Sequence, residues 1–164
     1  MYKRQPPYTW ALIPPDLTSS RHVELLLSVG QTIHTLDTLA ITDQLISRGP
    51  FSHISPAPNG KFLALLTTAG LLWVVSSDFQ RPLAEFDTAA EGMGDVVRQV
   101  AWCGNDAILV TWETTAMLVG PSGDTLRLGC LPCRNGVLLI LLQVLLYRRN
   151  ACHYRAGWRA YFER

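Results

Sequence analysis

The residues best suited to chemistry lie toward the carboxyl end, where Cys130-x-x-Cys133 is followed by Cys152 and His153. Three thiolates and an imidazole form a donor set for zinc, but a tetrahedral ion needs a spacer of two or more residues within its second ligand pair. Adjacent Cys152 and His153 supply none, so no metal site is assigned. A redox reading of C-x-x-C needs a flanking βαβ pattern, which the surrounding residues lack. Asn59-Gly60-Lys61 ends like a phosphate-binding loop. Ser55, however, stands where the loop's first glycine belongs, and Phe62 where the magnesium-holding Ser or Thr belongs. A hairpin turn accounts for these residues better. Ser52-His53 could open a hydrolase triad, yet the chain has no G-x-S-x-G elbow to expose a serine. His22, His34 and His53 fall one to each expected strand and read as ordinary hydrogen-bonded side chains. The sequence thus assigns no catalytic, cofactor-binding or metal-binding residue, requires no cofactor, and describes a protein that is not an enzyme.

Those residues sit in a chain of 164, of which 48% are hydrophobic and 16% charged, the composition of one globular domain. A net charge of +1 argues against nucleic acid as a partner. That average conceals a change of sign. Residues 1–128 carry 8 Lys and Arg against 12 Asp and Glu, a net −4, whereas 129–164 carry 6 Arg and one acid, Glu163, a net +5. Cysteine is divided the same way, with Cys103 alone before residue 129 and the other three after it. The amino terminus is interrupted by Pro6, Pro7, Pro14 and Pro15, which leaves no apolar stretch for a signal peptide, and the chain reads as cytoplasmic. The longest apolar run, 137–147, would reach only ~16 Å as a helix against a hydrocarbon core of ~30 Å, so no transmembrane span is expected.

Residues 1–128 are short runs of Val, Ile, Leu, Thr and Trp, broken every few positions by Gly, Asn, Asp, Ser or Pro, a pattern of strands and turns. The clearest stretch is 51–87. FSHIS leads through Pro56, Pro58 and Asn59-Gly60 to KFLALLT, a turn at 68–70, LLWVV, and a fourth strand at 82–86. Four antiparallel strands in under forty residues make one propeller blade. The order recurs downstream in RQVAW, AILVTW, AMLV and 125–128, and more faintly upstream in 9–13, 22–28, 31–35 and 40–46. The openings at Trp10, Ile54 and Val100 are 44 and 46 residues apart, close to the ~40 to 45 of propeller repeats. The fold class is therefore all-β: an incomplete β-propeller of about three four-stranded antiparallel blades, at about 9–46, 51–87 and 98–128. A β-sandwich is the alternative, since it too shows many short strands. Three blades do not close a ring, which takes ~4 to 8, and an open set leaves two end faces uncovered. Marginal solubility and a low unfolding midpoint are the expected consequences.

Within the blades, Trp73 and Trp112 lie in apolar runs and belong in the core, whereas Trp102 adjoins a turn and is open to either assignment. Asp78, Glu85, Asp87, Glu91, Asp95, Asp106, Glu113 and Asp124 cluster near turns and read as solvated rims.

The strings WALIPP (10–15), SRHVELLLSV (20–29), RGPFSHISP (48–56), NGKFLAL (59–65) and LWVVSSDFQ (72–80) resemble the amino-terminal propeller of the fungal vacuolar protein sorting-associated protein sixteen family. AEFD (84–87), WCGNDA (102–107) and VGPSGD (119–124) resemble it too, and the matches run in order from about Tyr8 to Leu128. The resemblance implies a non-enzymatic scaffold, a class C core subunit of the HOPS and CORVET tethering complexes that bring endosomes and vacuoles together before fusion. The implied location is peripheral, on late endosome or vacuole membranes, and the implied partners are other class C tethering subunits. The Sec1/Munc18-type partner is expected on a helical solenoid that this chain does not contain. Blades that precede the matched region in the family are likewise expected to be missing. After Leu128 the likeness stops, together with the jump in charge and the Cys and Arg enrichment. Residues 129–164 therefore read as a non-family tail outside the propeller, consistent with a retained intron or shifted frame. Its apolar run beside Arg148-Arg149 suggests a membrane-surface element or an aggregation-prone appendage.

Overall fold

The computed structural model describes residues 6–89, 96–120 and 124–129. They form twelve strands in three four-stranded antiparallel sheets, each a simple meander. The first sheet holds β1 (Thr9–Ile13), β2 (Glu24–Val29), β3 (Thr32–Leu36) and β4 (Ile41–Asp43). The second holds β5 (Phe51–Pro56), β6 (Phe62–Thr67), β7 (Leu71–Ser76) and β8 (Pro82–Asp87), and the third β9 (Gln99–Cys103), β10 (Ala107–Thr111), β11 (Thr115–Val119) and β12 (Thr125–Gly129). A single 3-10 turn, Pro15–Leu17, follows β1.

The first strand of each sheet packs on the first strand of the next, β1 on β5 and β5 on β9. Three meanders joined along their opening strands are consecutive blades of a partial propeller. A sandwich would stack two sheets face to face and trade strands between them, whereas here every sheet is completed before the next begins.

Alternation of side chains gives each blade two faces, and the blades bury one face against another. Ala11, Ile13, Leu26 and Ile33 of the first blade meet Phe51, Ile54, Leu63, Leu65, Trp73 and Val75 of the second. The opposite face of the second blade, with Ala64, Leu66 and Leu72, meets Val100, Ile108, Val110, Trp112, Met117 and Val119 of the third. A bulge in β5 between Phe51 and His53 lets Phe51 and Ile54 share one face despite their odd spacing. The Ser28 hydroxyl accepts the Phe51 amide N–H at 3.3 Å, a polar stitch through the first inter-blade core.

Turn chemistry sets the strand ends. Asp37, Asp43, Asp78, Asp87 and Asn59 each accept a backbone N–H two residues ahead. The acids near these turns therefore cap them as well as facing solvent. Asp43 also explains why β4 stops early, although the sequence suggests a strand over 40–46. Its Oδ1 takes the Leu45 N–H at 2.8 Å, and Leu45 turns to φ 54, which no strand sustains.

Candidate interaction surface

The chemical candidates resolve into structure. Asn59 Oδ1 accepts the Lys61 N–H at 2.9 Å, and the Gly60 N–H reaches the Ala57 carbonyl, also at 2.9 Å. Gly60, at φ +67, faces Leu17, where an added Cβ would sit 2.7 Å from the Leu17 Cβ and 2.9 Å from its carbonyl oxygen. The turn is filled by Leu17 and offers no cradle for a phosphate. The pair Asn59-Gly60 does not make a two-residue hairpin. Pro58 and Asn59 are the turn's centre and only Gly60 takes positive φ.

Ser52 and His53 do touch, with Nδ1 3.1 Å from Oγ. The Ser52 hydroxyl also lies within reach of the carbonyl oxygens of Leu66 at 3.2 Å and Thr67 at 3.4 Å. The two carbonyls compete with Nδ1 for the single hydroxyl proton, which weakens the pair as a nucleophile and base. Burial lowers the His53 pKa below the ordinary imidazole value, partly offset by a hydrogen bond to the Arg98 backbone. His22 is exposed, and His34 lies half-buried on β3. Among the described residues no three His, Cys, Asp or Glu side chains gather where they could hold a metal. The cysteine cluster at 130, 133 and 152 with His153 lies outside the described residues.

The tryptophans separate as structural groups. Trp73 and Trp112 are buried in the two inter-blade cores, and neither indole N–H has a partner among the described residues. Arg48 lies 5.0 Å over the Trp73 ring while its guanidinium meets Glu85 at 2.6 Å. Trp102 is half-buried, stacks on Phe62 at 6.4 Å between centroids, and belongs to the second interface between blades.

What the described residues present to solvent is a sheet face. On the first blade Trp10, Leu27, His34 and Asp43 form one cross-strand row, and Leu12, Leu25, Leu36 and Ile41 form the next. These rows alternate with Ala11, Leu26 and Ile33, which face the second blade, so they point the other way. Trp10 is 62% exposed, Leu12 52% and Ile41 70%. Apolar side chains grouped on one sheet face mark a surface for contact. Asp43 stands at the edge of this face, its carboxyl held below the usual range by the Thr32 hydroxyl at 2.6 Å and the Leu45 N–H. No single residue motif announces this face. The signal in the sequence is the period-two placement of Trp10, Leu12, Leu25 and Leu27, readable once the strands are paired.

Three consecutive four-stranded meanders packed through their opening strands define part of a β-propeller. The family described as Vps16, N-terminal region, matches residues 2–130, and the chain belongs to that family. It is 36% identical over 121 residues to the probable vacuolar protein sorting-associated protein 16 homolog of Schizosaccharomyces pombe, covering 71% of this chain and 14% of that protein. Protein VACUOLELESS1 of Arabidopsis thaliana is 31% identical over 127 residues, covering 67% of this chain and again 14% of the relative. The chain thus spans about one-seventh of these relatives' length. Among solved structures, Kluyveromyces lactis Hsv2 superposes with a TM-score of 0.53 at 10% identity, covering 76% of this chain and 37% of that one. Saccharomyces cerevisiae Sqt1 gives 0.52 at 14% identity, covering 74% and 36%. These likenesses, to propeller proteins, concern the fold alone. The relatives place the family in vacuolar protein sorting.

Proposed function

We propose that this chain acts as a non-enzymatic scaffold segment in intracellular protein transport, working by protein contact in the tethering and fusion of endosomes with the vacuole. Its partners in this reading are the class C tethering subunits of HOPS and CORVET, and its place is peripheral, on late endosome or vacuole membranes. The partial propeller occupies 1–128, with blades at about 9–46, 51–87 and 98–128, and 129–164 is a tail outside the repeat. The observation that carries the reading is the open apolar face of the first blade, where Trp10, Leu12 and Ile41 meet solvent together. Membership of the Vps16 family supports it. The Ser52-His53 pair, whose hydroxyl proton has two backbone carbonyls as competing acceptors, supports a reading without catalysis. Among the described residues no helix is long and apolar enough to cross a membrane, consistent with a peripheral location. Affinity capture of the full chain from cells expressing tagged class C subunits tests the proposal. Enrichment of those subunits is expected, and recovery no greater than from a control bait would overturn it.

A further inference from the structure

The open face of the first blade repeats, position for position, a face that is covered twice elsewhere in the chain. Strand pairing aligns Trp10, Leu27 and His34 with Ile54, Leu65 and Trp73 of the second blade. The same positions of the third blade are Val100, Val110 and Met117. In the next row Leu25 and Leu36 align with Leu63 and Val75, and with Ile108 and Val119. On the second and third blades all of these are buried. Each time the cover is the opposite face of the blade before, Ala11, Leu26 and Ile33 in one case and Ala64, Leu66 and Leu72 in the other. On the first blade no described element covers these positions, and Trp10 is more than half exposed.

The polar edge of the face is repeated as well. The row of Trp73 ends at Glu85 on β8, and that of His34 ends at Asp43 on β4. Glu85 is met by Arg48, which lies on the connection leaving the first blade and also covers the Trp73 ring. A preceding blade thus brings two things: an uncharged patch of Ala, Leu and Ile, and one arginine past its outer strand. Asp43 is exposed and uses Oδ1 for the Thr32 hydroxyl and the Leu45 N–H. A carboxylate accepts at both oxygens, so Oδ2 can take a further donor.

We infer that the open face of the first blade receives a four-stranded sheet of a partner chain, seated as one blade seats on the next. That sheet presents Ala, Leu or Ile at its centre and an arginine placed to meet Asp43 and lie over His34. The inference rests on the reading above that this face is the contact surface, and states what the partner must present. A single helix or extended peptide is too narrow an occupant. The two covered faces each take a whole sheet, and four strands ~4.8 Å apart are ~14 Å across. Trp10 and Leu12 at one side of the face and Ile41 at the other span that width.

The test uses the full chain with photo-reactive benzoylphenylalanine in place of Leu27, central on the face, irradiated in extract from cells that make tagged class C subunits. The expected cross-linked peptide is a strand of a four-stranded sheet in another protein, in a segment that carries an arginine past the sheet's outer strand. Such a peptide from a class C subunit supports both readings. The same kind of peptide from a different protein supports this inference and overturns the class C assignment. A cross-link to a helix of a class C subunit keeps that assignment and overturns the inference. A cross-link to a second copy of this chain, or none above background, overturns it too. A second measurement reads the charge. Asp43→Asn in the probe-bearing chain keeps an oxygen for Thr32 and Leu45 but loses the negative charge, and should lower the cross-link yield about threefold or more. Asp16→Asn, on the exposed 3-10 turn, should leave the yield unchanged. Equal yields from Asp43→Asn and the parent chain would overturn the seating.

Discussion

Trp102 donates its indole N–H to the carbonyl oxygen of Ser55 at 2.8 Å, tying the opening strand of the third blade to that of the second. The link spans 47 residues of sequence and crosses the interface at which the blades must hold their angle. Trp102→Phe keeps a ring beside Phe62 but leaves that carbonyl without its donor. A loss of about 1 kcal/mol is expected in denaturant unfolding. Trp102→Ala also removes the ring packing, and the loss should rise to about 3 kcal/mol. Equal losses for the two variants would show that the hydrogen bond, and not the ring, is the whole of the contribution.

Two glycines with nearly the same backbone conformation allow steric and conformational effects to be separated. Gly60 and Gly104 lie at φ +67 and +70, but a Cβ on Gly60 meets Leu17 at 2.7 Å while one on Gly104 meets nothing within 4 Å. Gly104→Ala should cost only the left-handed penalty of about 1 kcal/mol. Gly60→Ala adds a clash with the Leu17 backbone, and about 3 kcal/mol in total is expected. Thermal melts of the two variants side by side check this, and a smaller drop for Gly60→Ala would mean that the Pro15–Leu17 turn yields easily.

The blades were legible in the sequence because period-two runs and turn residues obey local rules. KFLALLT and LLWVV became β6 and β7 with their ends shifted by a residue at most. Local rules failed where a side chain decided the matter. The stop of β4 depends on which way the Asp43 carboxylate turns, and the β5 bulge on how Phe51 and Ile54 fit one core. Trp73 and Trp112 were readable as core from their apolar neighbours. Trp102 was not, because its role is a bond to a carbonyl on another blade. The open face of the first blade was hidden for the same kind of reason. Trp10 and Leu12 look like any alternating strand until pairing shows that no described element lies on their side.

His53 should make stability depend on pH. Its folded pKa lies below the ordinary 6.5 because burial disfavours the imidazolium, and the Arg98 backbone only partly opposes this. The unfolded chain therefore takes up a proton at a pH where the folded chain still resists it. The contribution is complete above about pH 6.5 and is lost as pH falls through the folded value. Asp37, held low by the Ala40 and Leu39 N–H groups, and Asp43 and Asp78, held low first by the Thr32 and Ser76 hydroxyls and then by backbone N–H groups, lose theirs only as pH falls below 3.8. Urea midpoints measured from pH 7.5 to 5 should fall, and His53→Gln should flatten that fall. A variant with an unchanged slope would assign the dependence to other groups.

The first blade's open face should be dispensable for folding and required for association. Trp10 and Leu12 are more than half exposed, so replacing both by Ser removes little buried area and should shift stability by no more than about 0.5 kcal/mol. Aromatic anchors at the centre of an interface commonly carry a large share of its binding energy, about 2 kcal/mol or more for one tryptophan. Trp10→Ser with Leu12→Ser should therefore weaken capture of class C subunits at least thirtyfold while leaving the melting curve in place. Replacing Leu83, exposed on β8 of the second blade, controls for apolar exposure in general and should leave capture unchanged. Capture that survives the double substitution would move the contact surface off the first blade.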